Sequence, residues 1–265
     1  MPCPSAILTV WASAWLAGAA APDDVIDALE PWAQAHDVLV ADPVTAAAID
    51  LPGPGERASS VTFLLGALRR TAPRGRARLV LPAPGDVRGL PGPGSFSRAA
   101  TAAGEGALFV DAGLGVVPTP LADGVLRWMI YPVSPSAPIA EYVALGYAEY
   151  ELREQVRQSA SILTSLGVAR HRPGVREEIA AALRSRPRSL WPAGMPGQAL
   201  RVLQHADEVA AILAAAAVDE PGGALSASAA AARREALRPI ETAVRVARRA
   251  AVAEAVRVLA SSPVA

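Results

Sequence analysis

Lysine is absent from this chain, so all 25 of its basic residues are arginine. That bias, together with abundant alanine, matches the codon usage of a high-GC bacterium. Arginine number alone therefore says little about function. Cysteine is nearly absent too. Cys3 stands alone, which excludes an intramolecular disulfide framework and a cysteine-based metal cluster, and favours a reducing compartment. Residues 1–56 carry eight acidic side chains and no arginine, so the remainder holds 25 arginines against 17 acids, a moderate basic surplus that can draw anionic partners. Histidine occurs three times, as His36, His171 and His205, with no partner at HExxH or HxH spacing. No metal site is expected, and the three histidines are read as structural or surface residues. The GxSxG elbow and the terminal Gly-Lys-Ser/Thr of a P-loop are both missing.

No run of ~20 strongly apolar residues occurs, so no membrane span is expected. The nearest is the uncharged stretch 5–21, whose small-residue end resembles a signal peptidase site. A secretory signal opens with positive charge, however, and residues 1–22 have none. Trp11 and Trp15 stand four apart with Leu8 on the same helical face, the spacing of a packed helix. The segment is read as a buried helix of a cytoplasmic protein.

What the chain does have is apolar content. At 265 residues and 52% hydrophobic, it can bury one large core or two modest ones, and its 24 prolines and 21 glycines concentrate in loops. Pro22-Asp23-Asp24 ends the first helix and caps a second, expected over 25–36. A short strand follows at 37–42. Ser59 or Ser60 caps a helix through Arg70 with Val61, Leu64, Leu65 and Leu68 on its core side. Arg69, Arg70, Arg74, Arg76 and Arg78 gather at and beyond its end, where cations complement the helix dipole.

Strands are expected at 77–81, 107–111 and 125–131, the last pairing antiparallel with the strand around 108–117 across a short link. Beyond the proline-rich linker 132–138, strand signals stop. Helical spacing then recurs at 141–166, 175–185, 197–218 and 226–260, with a break at 219–223 and Pro239 predicted to kink or interrupt the last helix. The fold class is α/β over residues 1–135, a small mixed sheet with flanking helices, followed by an α-helical bundle-like domain over 139–265.

The candidate site lies in the glycine- and proline-rich loop 82–97. Loops leaving the C-terminal end of a sheet strand commonly carry function. Gly92 and Gly94 bare the backbone there, Ser95 or Ser97 opens and caps a helix, and Arg88 adds a fork of donors, a combination suited to a carboxylate or phosphate. Asp86 and Asp111 meet at one edge if strands 77–81 and 107–111 are parallel neighbours, and would then serve acid–base chemistry or hold Mg²⁺. The plain alternative is a rigid turn in which Arg88 neutralises Asp86. The pairs Gly104/Gly106 and Gly113/Gly115 are read as turns. Arg234, Arg238, Arg245, Arg248 and Arg249 form a stripe on the last helix, but no aromatics interleave for base stacking, so nucleic acid is not expected.

Four ordered stretches, Trp11-Ala-Ser-Ala-Trp-Leu, Leu79-Val-Leu-Pro-Ala-Pro-Gly-Asp-Val-Arg-Gly-Leu-Pro-Gly, Val125-Leu-Arg-Trp and Ala230-Ala-Ala-Arg-Arg-Glu-Ala-Leu-Arg-Pro, resemble those of an actinobacterial protein family of unknown function. The resemblance covers nearly the whole chain and implies that the N-terminal helix is retained. It transfers no activity, cofactor or catalytic residue. The resulting expectation is a binding or interaction protein, with an enzyme acting on a small anionic metabolite at loop 82–97 as the alternative. A small anionic ligand or a protein is the expected partner.

Overall fold

In this computed structural model, residues 3–122, 124–134, 142–165, 174–184, 191–218 and 227–261 are described. His171, linker residues 135–138 and the expected break at 219–223 lie outside them. The chain forms two compact units. One gathers Pro2–Glu141 with Pro187–Pro196 and Val252–Ala265, and the other consists of Tyr142–Arg186 and Gly197–Ala251.

The first unit is built on a six-stranded mixed sheet in the order β2-β1-β6-β5-β4-β3. The strands are β1 (Ala35–Val40), β2 (Ser59–Ser60), β3 (Arg78–Val80), β4 (Gly106–Phe109), β5 (Leu114–Ala122) and β6 (Val125–Pro132). The last four form an antiparallel meander, and β1 joins β6 in parallel, Val38 opposite Trp128. Strand β6 alternates strictly, with Leu126, Trp128 and Ile130 buried on one face and their neighbours half-buried on the other, as a period-2 element between two layers must.

Helix α1 (Pro4–Leu16) packs on the first face with α2 (Pro22–Leu29), α3 (Pro43–Ile49) and α4 (Val61–Thr71). Every residue of α1 is buried, Trp11 and Trp15 included. The second helix is shorter than its periodicity suggests. Pro31 cannot continue an α-helix, so the chain turns through a 3-10 segment, Glu30–Trp32, and β1 begins two residues earlier than expected. Helix α3 escapes notice in the sequence because its seven residues span barely two turns and three of them are alanine, too little for a periodic signal.

Helix α5 (Ser95–Ala103) covers the opposite face, around Phe96, Ala100, Leu108 and Val117. Here two glycines read as turn residues have another task. Gly104 and Gly113 do turn the chain, at φ 76° and 66°. Gly106 and Gly115 instead lie in β4 and β5 beneath the ring of Phe96. A Cβ on Gly115 would overlap that ring outright, and one on Gly106 would meet it at 3.2 Å.

The second unit contains α6 (Leu145–Ser165), α7 (Val175–Arg184), α8 (Gly197–Val218) and most of α9 (Ala227–Leu259). Helix α9 runs unbroken through Pro239, so of the expected kink or interruption the interruption does not occur. Its arginine stripe is largely engaged: Arg248 grips Asp207 of α8 at 2.5 Å with both side chains mostly buried, and Arg238 pairs with Glu235. No described helix is long and apolar enough to cross a membrane.

Gly115→Ala should destabilise the protein by about 1–3 kcal/mol, the usual cost of overpacking. In a double-mutant cycle read by chemical denaturation, prior Phe96→Leu should remove most of the cost of Gly115→Ala. Additive losses would show that the ring does not set the glycine requirement.

Candidate functional site

Loop 82–97 is held by its own backbone. Ala83 and Asp86 exchange both N–H···O bonds, at 3.0 and 2.8 Å, around Pro84-Gly85, and Gly85 takes φ 80°. A second turn follows at once, with the Leu90 amide donating to Val87 at 3.2 Å and Gly89 at φ 87°. Pro-Gly and Arg-Gly at the two central positions suit such turns, because the third residue needs positive φ. Between the turns Arg88 closes on Asp86 as a fork, Nε to Oδ1 at 2.7 Å and Nη2 to Oδ2 at 2.8 Å. Val87 stands outward at 65% exposure. The base of the loop is anchored by Leu90, packed against the Phe96 cluster.

The cap of α5 differs from expectation. Gly94 is the N-cap and Ser95 the first helical residue, with no side-chain cap, while Ser97 Oγ donates back to the Gly92 carbonyl. Gly94 has extended backbone, so the helix is entered without a hydroxyl.

Asp111 does not join this group. Strands β3 and β4 are neighbours but run antiparallel, Arg78 opposite Leu108 and Val80 opposite Gly106. The loop and α5 therefore make a closed excursion that leaves beside Val80 and returns beside it. Asp86 follows one end of the pair, and Asp111 lies at the other, near Gly75 and Arg78. Burial pushes the Arg78 guanidinium down, and Asp111 opposes that shift. The expected two-carboxylate edge is thus corrected, and with it a shared Mg²⁺ or acid–base role for Asp86 and Asp111. Among the described residues, no group of three or more histidine, cysteine or acidic side chains is placed to hold a metal.

Sequence reasoning missed three polar arrangements. The first is at the start of α1, where the Ser5 amide donates to Glu105 Oε2 at 2.9 Å. Burial pushes the Glu105 carboxyl up, against the pull of its bonds from Ser5 and Cys3. The second is at the helix ends. Arg69 Nη2 reaches the Trp15 carbonyl at 3.2 Å and its guanidinium lies 4.4 Å from the Trp15 ring, and Arg70 Nη2 reaches the Ile49 carbonyl at 2.8 Å. The arginines of α4 serve the C-termini of α1 and α3 as well as their own.

The third is an open cleft of about 590 Å³ beside the short edge strand β2. Its walls come from α3, from the turn after it and from the start of α4, with Asp50, Glu56, Arg57, Ser59 and Phe63 among them. The turn is closed by Glu56, whose Oε2 accepts the Gly53 amide at 2.7 Å. Single-sequence patterns could reveal only the Pro52-Gly-Pro-Gly55 turn, since the concavity depends on packing α3 against it.

With this geometry in place, comparison with known proteins gives the lineage. Residues 5–142 match the model of the Rv1486c-like protein N-terminal domain, and residues 146–249 that of the Rv1486c-like protein C-terminal domain. The chain belongs to the Rv1486c-like family. It is 40% identical to uncharacterized protein Rv1486c of Mycobacterium tuberculosis (strain H37Rv), 34% identical to ML1804 of Mycobacterium leprae and 33% identical to MAV321 of Mycobacterium avium. Each comparison covers 94% of this chain and 96% of the relative. No solved structure matches. The family is thus an actinobacterial one of unknown function, in keeping with the resemblance read from the four stretches.

His36 has a structural role in this architecture. Its Nε2 faces the Leu29 carbonyl at 3.0 Å and its Nδ1 the Trp128 indole N–H at 3.1 Å, which fixes the neutral ring as the Nε2–H tautomer. Burial lowers its pKa from the ordinary 6.5. The unfolded chain therefore takes up this proton first as pH falls, so the stability contributed by neutral His36 is complete above pH 6.5 and declines below it. Urea melts should show wild type losing more stability than His36→Gln between about pH 7.5 and 5.5. Equal losses would remove His36 as the cause.

Proposed function

We propose that the chain is a binding protein whose recognition element is loop 82–97, presented to a protein partner. The observation that carries this reading is the Arg88–Asp86 fork, which braces two consecutive turns and leaves Val87 outward between opposite charges. A loop that is already ordered by its own bonds loses little conformational freedom on association. An exposed apolar side chain framed by paired charges offers both contact area and orientation. The same closure weighs against the enzyme alternative, since the guanidinium nominated for a substrate anion is occupied by Asp86 and the second carboxylate lies elsewhere.

The test places a photo-crosslinking amino acid at position 87 in the full chain, expressed in an actinobacterial host. A discrete adduct is expected, lost in Val87→Glu. Arg88→Ala should weaken it while costing less than about 1 kcal/mol of stability, as exposed ion pairs do. An unchanged adduct in both variants would overturn the assignment. A melting temperature raised by inorganic phosphate in wild type but not in Arg88→Ala would instead support the anionic-ligand alternative, for which the N-terminus of α5, without a side-chain cap, provides the amides.

A cytoplasmic setting belongs to this proposal. The single thiol and the use of Leu8, Trp11 and Trp15 as core support it. Removing residues 1–21 should abolish folding, because each large apolar side chain buried there contributes roughly 1.5–3 kcal/mol. Mass spectrometry finding a mature start near Ala21 in protein from its native host would overturn the cytoplasmic assignment.

A further inference from the structure

We propose that the cleft between α3, the 53–56 turn and α4 is a second, separate site, and that it binds a small zwitterion carrying an apolar group: an amino acid or short peptide with free ends. Asp50 stands at the head of this cleft. It caps the C-terminal end of α3 at φ 55°, the sole non-glycine residue in the left-handed region among those described. An acid at that end of a helix also opposes the dipole, and glycine or asparagine would be the ordinary choice. Arg70 already supplies a cation to the Ile49 carbonyl there. Asp50 thus breaks two local rules; its amide and that of Leu51 close the helix end on the Ala46 carbonyl, but its carboxylate makes no hydrogen bond or ion pair among the described residues, the pattern of a side chain kept for a task other than stability.

Arg57 lines the same cleft and likewise has no acceptor among the described residues. No ion pair joins it to Asp50, although both line one concavity. A ligand bearing an ammonium and a carboxylate satisfies both at once, the amine on Asp50 and the carboxylate on the Arg57 fork. Phe63 provides the apolar complement, 61% exposed at the first turn of α4.

The walls are ready before a ligand arrives. Gly53 packs so closely on α3 that a Cβ there would meet Ala46 Cβ at 3.2 Å, and its amide is tied to Glu56. A volume of about 590 Å³ is within the range of sites that enclose small organic ligands.

The experiment titrates the full chain by calorimetry with L-phenylalanine and with the dipeptide Ala-Phe, which set the two charges at different separations. N-acetylated and C-amidated forms of each serve as probes lacking one charge. One of the zwitterions should bind saturably, and both blocked forms should bind about tenfold or more weakly. Asp50→Asn and Arg57→Gln should each weaken the zwitterion by a similar factor. Asp50→Asn should leave the N-acetylated probe unaffected, since that probe has no ammonium to lose. Asp50→Asn should at the same time raise the melting temperature of the unliganded protein, because asparagine suits the left-handed helix end. Absence of saturable binding of either zwitterion up to about 10 mM would overturn the proposal, as would equal affinity of the blocked probes or wild-type affinity in both variants. A lowered melting temperature in Asp50→Asn would make Asp50 a structural residue and would also sink it.

Discussion

Enclosing α1 on every side is the constraint to which much of the sheet unit answers. A helix buried along its whole length has no water for its terminal amides and carbonyls, and each orphaned group would cost about 1–3 kcal/mol. Residues far away in the chain supply the partners. Glu105, one hundred positions on, receives the Ser5 amide, and Arg69 takes the Trp15 carbonyl while stacking on the indole. In the last full turn of the helix, Ser13 Oγ donates to Thr9 and accepts the Ala77 amide, which ties α1 to the chain entering β3. The helix thereby organises β3, β4 and α4 through polar contacts as much as through apolar ones.

The opposite face is governed by shape. Phe96 requires two strands to go without side chains at Gly106 and Gly115, and α5 then sits close enough for its own N-terminus to be anchored in the core. Loop 82–97 is pinned by that anchorage at one end and by the Ala83–Asp86 bridge at the other. Here glycine is spent on positive φ, proline on fixed φ, and the Arg88–Asp86 fork on holding both turns together.

The two candidate surfaces differ in what their charges do. At loop 82–97 the opposite charges have found each other, so the surface presents shape and a neutralised pair. In the cleft Asp50 and Arg57 share a wall and are not paired with one another, so both charged heads stand exposed to water. In the helical unit the basic stripe of α9 is drawn into contacts with its own unit, most firmly Arg248 with Asp207, where burial makes a matched partner obligatory.

Local chemistry was enough to determine a good deal. A run of aromatic and branched residues marked β6, helical spacing marked α4, α6, α8 and α9, and the tryptophan spacing marked α1 as core, because each of these signals is set by the geometry of a single element. Glycine and proline marked loop 82–97 as structured turns for the same reason. What single-element geometry cannot carry is direction and partnership. Whether β3 and β4 run parallel or antiparallel depends on how far loop 82–97 and α5 cancel one another's displacement, and that alone sends Asp111 away from Asp86. Gly115 as a seat for Phe96, Glu105 as the cap of α1, Arg69 and Arg70 as donors to other helices and Asp50 facing the same cleft as Arg57 all arise from contacts between residues distant in sequence. Those contacts exist only once the layers pack, so tertiary structure decided them.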